Sequence, residues 1–323
     1  MSFIEVKDLK VHYPIRGGFF NKIIDYVYAV DGVSFTIEKG KTYGLVGESG
    51  SGKSTIGKAI IGLEKIKSGK IIYEGREIDR KFRNRRSEYN RNVQMIFQDS
   101  LSSLNPKKRV IDLISEPLRN FENLTPDEEK RKVSELLEIV GMNREDIFKY
   151  PHEFSGGQRQ RLGIARAVAT KPKLIIADEP VSALDLSVQA QVLNYMKDIQ
   201  EQFGLSYLFI SHDLGVVKHM CDYMFIMYRG RFVETGTKND IYKNPEHFYT
   251  KRLIAAIPEI HPEKRAENKR KRLKIEKEYL ANEKKYYDEN GRVFDLKKLT
   301  DTHFVAFKDK NLKNNGNSVK GGK

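Results

Sequence analysis

Gly47-Glu48-Ser49-Gly50-Ser51-Gly52-Lys53-Ser54-Thr55 is the stretch that decides how this chain is read. It follows the apolar run Thr42-Tyr43-Gly44-Leu45-Val46 and leads into Ile56-Gly57-Lys58-Ala59-Ile60-Ile61. That order predicts a strand, a glycine-rich turn and the start of a helix. From Gly47 to Ser54 it fits the phosphate-binding spacing G-x-x-x-x-G-K-[ST]. Glycines let successive N–H groups converge on one concavity, and the helix start adds positive partial charge there. Lys53 brings a full positive charge for β- and γ-phosphates, and the Ser54 hydroxyl suits Mg²⁺. A nucleoside-triphosphate site is expected.

With 323 residues the chain is long enough to bury a sizeable core, in one to three domains. Its 39% hydrophobic and 32% charged residues belong to a soluble globular composition rather than a disordered one. No run of about 18 consecutive apolar residues occurs, so no membrane span is expected. The opening Met1-Ser2-Phe3-Ile4-Glu5-Val6 lacks a basic region followed by an apolar one, so no secretory signal is expected. Cys221 is the only cysteine, which excludes an internal disulfide or a cysteine-built cluster and suits a reducing cytosol. The net charge of +14 is uneven: residues 261–323 carry 18 Lys+Arg against 10 Asp+Glu. This tail mixes both signs and holds no recognisable nucleic-acid module. Solubility, or docking near an anionic membrane surface, is preferred for it over nucleic-acid binding.

Along the chain, residues 3–12 alternate and predict a strand closed by Tyr13 before Pro14, and residues 33–37 predict a second. A loop rich in aromatics is expected between them over residues 17–28. The helix after the phosphate loop should stop near Gly62, and a short strand is expected over 69–75. Arg83, Arg85, Arg86 and Arg91 fall in a basic stretch read as a solvated helix or loop. Val93-Gln94-Met95-Ile96-Phe97 reads as a buried strand ending at Gln98-Asp99. A helical stretch follows from 108 to about 147, with Thr125 as N-cap and Pro126 in the first helical position. Helices are expected over 159–169 and 184–203, and strands over 173–180, 206–211, 223–227 and 231–235. Residues 264–285 fit a solvated helix, and the glycine-rich polar end past Gly316 reads as frayed. Strands alternating with helices argue for a largely parallel sheet with ligands at the carboxyl ends of its strands.

The second chemical element is Asp178-Glu179, ending the apolar run Leu174-Ile175-Ile176-Ala177. Adjacent carboxylates there are costly to bury without a cation or hydrogen-bond donors. Asp178 is placed to hold Mg²⁺, and Glu179 to orient or activate an attacking water.

Ser155-Gly156-Gly157-Gln158, between the phosphate loop and the acidic strand, resembles the signature of ABC-type ATPases. Tyr13, Gln98, His212 and the loop Ser182-Ala183-Leu184-Asp185 stand where that family has its other motifs, over roughly residues 1–250. Phe154-Ser155-Gly156-Gly157-Gln158-Arg159-Gln160-Arg161 is similar to the oligopeptide and dipeptide importer branch, although many members carry leucine at the place of Phe154. So is Phe97-Gln98-Asp99-Ser100-Leu101-Ser102-Ser103-Leu104-Asn105-Pro106. The stretch 244–258 is similar to the C-terminal extension of that branch.

The resemblance implies an α/β fold: a P-loop NTPase (RecA-like) parallel sheet core with N-terminal antiparallel strands, an inserted helical subdomain and a C-terminal extension. Its implied division is an ABC-type domain over 1–250, with the helical subdomain at about 100–165, and an extension with a basic tail over 251–323. It implies ATP hydrolysis with Mg²⁺ held by Ser54, Asp178 and Gln98, and Glu179, His212 and Gln98 at the reacting phosphate. Tyr13 would stack on adenine, the residues from Gly47 to Thr55 would cradle the phosphates, and Asp185 would organise a dimer interface. Ser155, Gly156, Gly157 and Gln158 would serve the nucleotide of another subunit, so that two chains sandwich two ATP molecules head to tail. Without a cysteine cluster the chain resembles the F-type of the two ATPase subunits. The implied partners are a second ATPase subunit, two membrane permeases and an extracellular solute-binding protein, at the cytoplasmic face of a membrane, with no specific nucleic acid. Uptake of another solute such as nickel, a regulatory module that binds ATP without cleaving it, and a non-transport ATPase acting on ribosomes or DNA are the alternatives.

Overall fold

The structure, a computed structural model, describes residues 2–18, 20–78, 88–99, 103–257 and 265–308. Within these, side chains at 265–268, 271, 282 and 283 are not described. Arg83, Arg85, Arg86, Ser100, Leu101, Ser102, His261, Lys264 and the end past Gly316 lie outside the described residues. Two compact units form, Met1–Arg231 and Phe232–Lys323.

The first unit begins with a long antiparallel hairpin, β1 (Ser2–Gly17) and β2 (Lys22–Glu38). The loop expected over residues 17–28 is therefore mostly strand, a correction. The turn itself is short, closed by Asn21 N–H donating to Gly18 O at 3.1 Å with both residues at positive φ. From Tyr13 to Tyr28 the described residues are exposed except Gly17 and Tyr26, which are half-buried, and that lack of a buried face is why alternation does not announce the strands. Pro14 does not end β1, because pairing with the next strand of this sheet stops at Lys10↔Ser68 and Pro14 sits on a free edge.

The apolar run Thr42–Val46 forms β3, buried at every position. The phosphate loop follows, then α1 (Lys53–Ile61), ended by Gly62 at φ 85. β4 (Ser68–Tyr73) and β5 (Arg76–Glu77) complete an antiparallel sheet of order β2-β1-β4-β5. After α2 (Glu88–Asn92) and β6 (Val93–Ile96) the chain turns helical. The single stretch expected over 108–147 is divided into α3 (Val110–Arg119), α4 (Pro126–Ile139) and a 3₁₀ turn, Arg144–Phe148. Two local signals cause the division. Thr125, preceding a proline, is extended at ψ 159, and Gly141 at φ 67 leaves the helical region after α4. Thr125 does cap α4: its hydroxyl accepts from Glu128 N–H, and Glu128 accepts from Thr125 N–H. Arg119 then joins α3 to α4 through two 2.7 Å hydrogen bonds to Glu129.

α5 (Gly156–Val168), β7 (Leu174–Asp178), α6 (Leu186–Phe203), β8 (Ser206–Ser211), α7 (Leu214–Met220) and β9 (Tyr223–Tyr228) follow. Strands β9-β3-β8-β7-β6 lie in that order, and each adjacent pair among them is parallel. β3, β7 and β8 are buried at all positions, as strands covered on both faces must be, so their sequences are continuous apolar runs. All five end on one edge, which collects the phosphate loop, Gln98, Glu179 and His212.

The second unit contains β10 (Arg231–Thr237), α8 (Lys238–Lys243), α9 (Phe248–Ala255) and α10 (Arg265–Asn282). Two short strands follow, β11 (Leu296–Lys298) and β12 (Phe304–Ala306), with β12 antiparallel to both β10 and β11. Glu234, fully buried, accepts from Glu246 N–H, His247 N–H and the His303 ring at 2.8, 3.0 and 2.7 Å. This hydrogen bond holds the His303 pKa above its ordinary value. Burial pushes that of His247 down to about 3. Among the described residues no helix is long and apolar enough to cross a membrane.

Gly44 lies where α7 approaches β3. A Cβ there would stand 2.5 Å from Val217 Cγ1 and 3.0 Å from Cys221 Sγ. Gly44→Ala is expected to destabilise the fold by about 1–3 kcal/mol through overpacking. Adding Val217→Ala should recover most of that loss, read as the urea midpoint of the first unit.

Candidate active site

The loop after β3 is built so that only glycine fits at two of its positions. A Cβ on Gly52, at φ 105, would lie 2.0 Å from Ala29 O, and one on Gly47 would lie 2.2 Å from Met227 O. The loop is thus pressed against β2 on one side and the end of β9 on the other. Gly230 N–H donates to Ser51 O at 3.0 Å, and Asp31 N–H donates to Gly230 O at 2.9 Å. Gly50, at φ 79, has open space around it. Residues from Gly47 to Ser49 leave β3, Lys53 to Thr55 open α1, and the loop curls between them.

Lys53 is buried, and its ammonium donates to Gly47 O and Glu48 O, each at 2.8 Å. Burial lowers its pKa, against the nearby charges of Glu179, Asp178 and Glu48. The cation is held at the centre of the loop on two backbone carbonyls.

Across the parallel sheet, Asp178 at the end of β7 accepts from the Ser54 hydroxyl at 2.7 Å. Burial raises the Asp178 pKa, and the Ser54 hydrogen bond opposes it. Glu179 follows in the left-handed region at φ 46. Its N–H donates to Ile210 O at 2.9 Å, and the Ser182 hydroxyl donates to its carbonyl at 3.1 Å. This backbone aims the Glu179 carboxylate away from Asp178. One of its oxygens accepts from Gln98 Nε2 at 3.0 Å, and the other lies 3.0 Å from His212 Nδ1. Gln98 follows β6 and His212 follows β8, so the carboxylate is gripped from the strands on both sides of β7.

The remaining candidates stand apart from this cluster. Tyr13, on β1, places its phenol between Thr55 and Glu64 and leaves its ring exposed. Ser155 caps α5, its hydroxyl accepting from Gln158 N–H while Gln158 Oε1 accepts from Ser155 N–H at 2.9 Å. Gly156, exposed, and Gly157, buried, thereby open the first turn of the helix. Asp185 precedes α6 without a side-chain cap bond, and Leu186 beside it is 84% exposed. A cavity of about 500 Å³ lies beside Gln98, lined by Phe97, Leu104, Pro117, Phe121 and Arg166 among others.

The residues fit a magnesium nucleotide. A hydroxyl and a carboxylate already meet, as two hard oxygen donors for a cation, and the adjoining loop presents helix-start N–H groups beside a buried ammonium. Sequence reading missed the support from Ala29, Met227 and Gly230. The triplet Tyr228-Arg229-Gly230 was legible only as a turn, since its contact with the loop is long-range.

Two family models match: ABC transporter over residues 30–182, and oligopeptide/dipeptide transporter, C-terminal region, over residues 233–289. An oligopeptide transport ATP-binding protein, OppF, of Lactococcus lactis subsp. lactis (strain IL1403) is 57% identical over 305 residues, covering 94% of this chain and 96% of that protein. The dipeptide transport ATP-binding protein DppF of Escherichia coli (strain K12) is 46% identical over 264 residues, covering 82% and 79%. The ATP-binding cassette MJ0796, in a dimeric post-hydrolysis state bound to ADP and Pi, superposes with a TM-score of 0.64 over 73% of this chain and 98% of that one, at 24% identity. That likeness extends the agreement to the fold.

Gly52→Ala must meet Ala29 O and hold an alanine at φ 105. ATP affinity, measured by calorimetric titration, is expected to fall by at least about tenfold, the equivalent of roughly 1–3 kcal/mol of strain. Gly50→Ala, with open space at its Cβ, should lose less.

Proposed function

This chain belongs to the ABC transporter family, in its oligopeptide/dipeptide branch, and from that membership we propose that it hydrolyses ATP to drive uptake of oligopeptides or dipeptides through membrane permeases. The observation that carries the chemistry is the Glu179 carboxylate held between Gln98 and His212 beside the phosphate loop.

Phosphoryl transfer to water needs placement and charge stabilisation more than covalent chemistry. The loop from Gly47 to Thr55 receives the phosphates with its N–H groups, and Lys53 shifts from Gly47 O and Glu48 O to the β- and γ-phosphate oxygens. Ser54, Asp178 and Gln98 would hold Mg²⁺, which when bound would offset the negative charge on the phosphates. Glu179 accepts a proton from the attacking water. His212 and Gln98 fix the direction of that carboxylate, and His212 reaches the γ-phosphate. Tyr13 offers its exposed ring to the adenine.

One chain supplies a single side of this site. The N-terminus of α5, with Ser155, Gly156, Gly157 and Gln158, suits the γ-phosphate held by another subunit, and Asp185 faces the joint between them. We assign the working pair as a heterodimer with a second ATPase subunit, joined to two permeases and an extracellular binding protein, and peripheral to the cytoplasmic face of a membrane. The cavity beside Gln98 is the proposed permease contact, since it joins the reacting end of β6 to α3 and α5. Residues 1–250 are taken as the ATP-binding domain, with its helical subdomain at about 100–165, and 251–323 as the extension.

Glu179→Gln should lower kcat by about 10²–10⁴-fold while ATP still binds, and should accumulate a nucleotide-bound dimer visible by size exclusion. Wild-type turnover should vanish on chelation of divalent cations and, in the intact membrane complex, should rise when peptide-loaded binding protein is added. Full turnover by a strictly monomeric preparation, indifferent to loss of Ser155, would contradict the shared site.

A further inference from the structure

The hairpin of β1 and β2 extends well past its own sheet. Its pairing with β4 ends at Lys10↔Ser68, whereas pairing of β1 with β2 continues to Gly17↔Lys22. From Val11 to Gly17 this arm is about 20 Å long at strand rise. A two-stranded ribbon alone in water is marginal. Its apolar side chains are nevertheless turned outward: Phe20 is 79%, Ile24 68% and Ile23 47% exposed, and Ile15 joins them. Ile24 lies across Gly17, where a Cβ would come 3.0 Å from its Cδ1, so the tip has room for it to fold over the turn.

We propose that the tip of this arm, through residues 15–18 and 20–24, inserts into the interface of an acidic phospholipid bilayer. Three observations select lipid over a protein groove. First, the apolar exposure is two-sided. Ile23 pairs with Arg16, the residue after Ile15 on β1, so Ile15 and Ile23 point to opposite faces, and they are 39% and 47% exposed. A docking groove covers one face of a ribbon, whereas a lipid interface surrounds the tip. Second, the charges at the tip are of one sign: Arg16 and Lys22 flank the turn and no carboxylate lies between them. Lys22 Nζ stands 6.0 Å from the Phe20 ring centroid, and Arg16 Nη1 donates to Asn21 O. The first carboxylate beyond is Asp25, whose Oδ1 accepts from Tyr26 N–H at 2.7 Å. Aromatic and aliphatic groups at the apex with cations beside them match the vertical order of acyl chain and acidic headgroup. Third, β2 is an edge strand with an open row of backbone groups. Those groups keep their water in the headgroup layer, which limits the arm to shallow insertion and excludes a span.

The proposal goes beyond the ATPase assignment and is tested without it, on the purified full chain. The chain has no tryptophan, so Phe20→Trp supplies a unique emission reporter. Its emission should shift to the blue with phosphatidylcholine vesicles containing phosphatidylglycerol, and far less with phosphatidylcholine alone. In flotation, the pair Ile23→Ser and Ile24→Ser should lower the bound fraction by about tenfold. The pair Arg16→Gln and Lys22→Gln should remove the preference for acidic vesicles, and basal ATP turnover of both variants should match wild type. Unshifted emission overturns the proposal. So does flotation unaffected by the tip variants, which moves the affinity to the basic tail. A blue shift that grows with protein concentration alone assigns the tip to a second copy. One that appears in lipid-free detergent only with the membrane subunits present assigns it to a protein partner.

Discussion

A buried ammonium sets the terms for the rest of the first unit. Lys53 is 4% exposed, and a cation so far from water is costly unless its donors are satisfied. Here they are satisfied by the carbonyls of Gly47 and Glu48, which requires the loop to curl tightly around its own lysine. The curl requires glycine at Gly52, where the backbone runs at φ 105 and Ala29 O leaves no space for a Cβ. Packing against Ala29 and Met227 in turn requires β2 and β9 to stand on either side of the loop. Carboxylates at the end of β7 partly offset the positive charge, and they lie there because β7 and β8 are parallel neighbours of β3. The catalytic edge follows from burying one lysine.

Glu179 shows the complementary constraint. A left-handed backbone costs a non-glycine residue on the order of 1–3 kcal/mol, so it persists only where the surroundings enforce it. Asp178 still pairs with Ile210 in the ladder, and Glu179 N–H binds the carbonyl of that same Ile210. The strand cannot continue, and the chain reverses its side-chain direction within one residue. This reversal sends Asp178 to Ser54 and Glu179 to Gln98 and His212. Two adjacent carboxylates, which would repel each other if they shared one direction, thereby take separate partners.

What was legible in the sequence was whatever burial makes repetitive. β3, β7 and β8 were readable because both faces are covered, and the loop from Gly47 to Thr55 because its chemistry fixes residue type at fixed spacing. Residues 206–211 were read as a strand with the bounds the structure gives. The arm over residues 13–28 was not readable as strand, because side chains exposed on both faces leave no period of two. β11 and β12 were missed for another reason. They are three residues each and depend on the pairing of His303 with Glu234, sixty-nine residues apart. The division of the helical stretch is written locally, in Thr125-Pro126 and in Gly141, and reading only the first of these leaves α4 joined to the 3₁₀ turn that follows it.

The proposed sharing of the site between two chains turns on where the helix starts lie. Lys53 lies at the start of α1, within the chain's own loop. Ser155 opens α5, and its side chain is already committed to Gln158 within its own cap. Gly156 in that first turn is exposed and Gly157 is buried. A helix start with glycine in its first turn lets an anion approach the backbone closely, and burying one there offsets its desolvation only when the far side is also covered by donors. On the proposed two-chain reading, a site closed on one face by Lys53 and on the other by a second α5 would meet that condition. Closure would then gate turnover, because the donors would be divided between two chains.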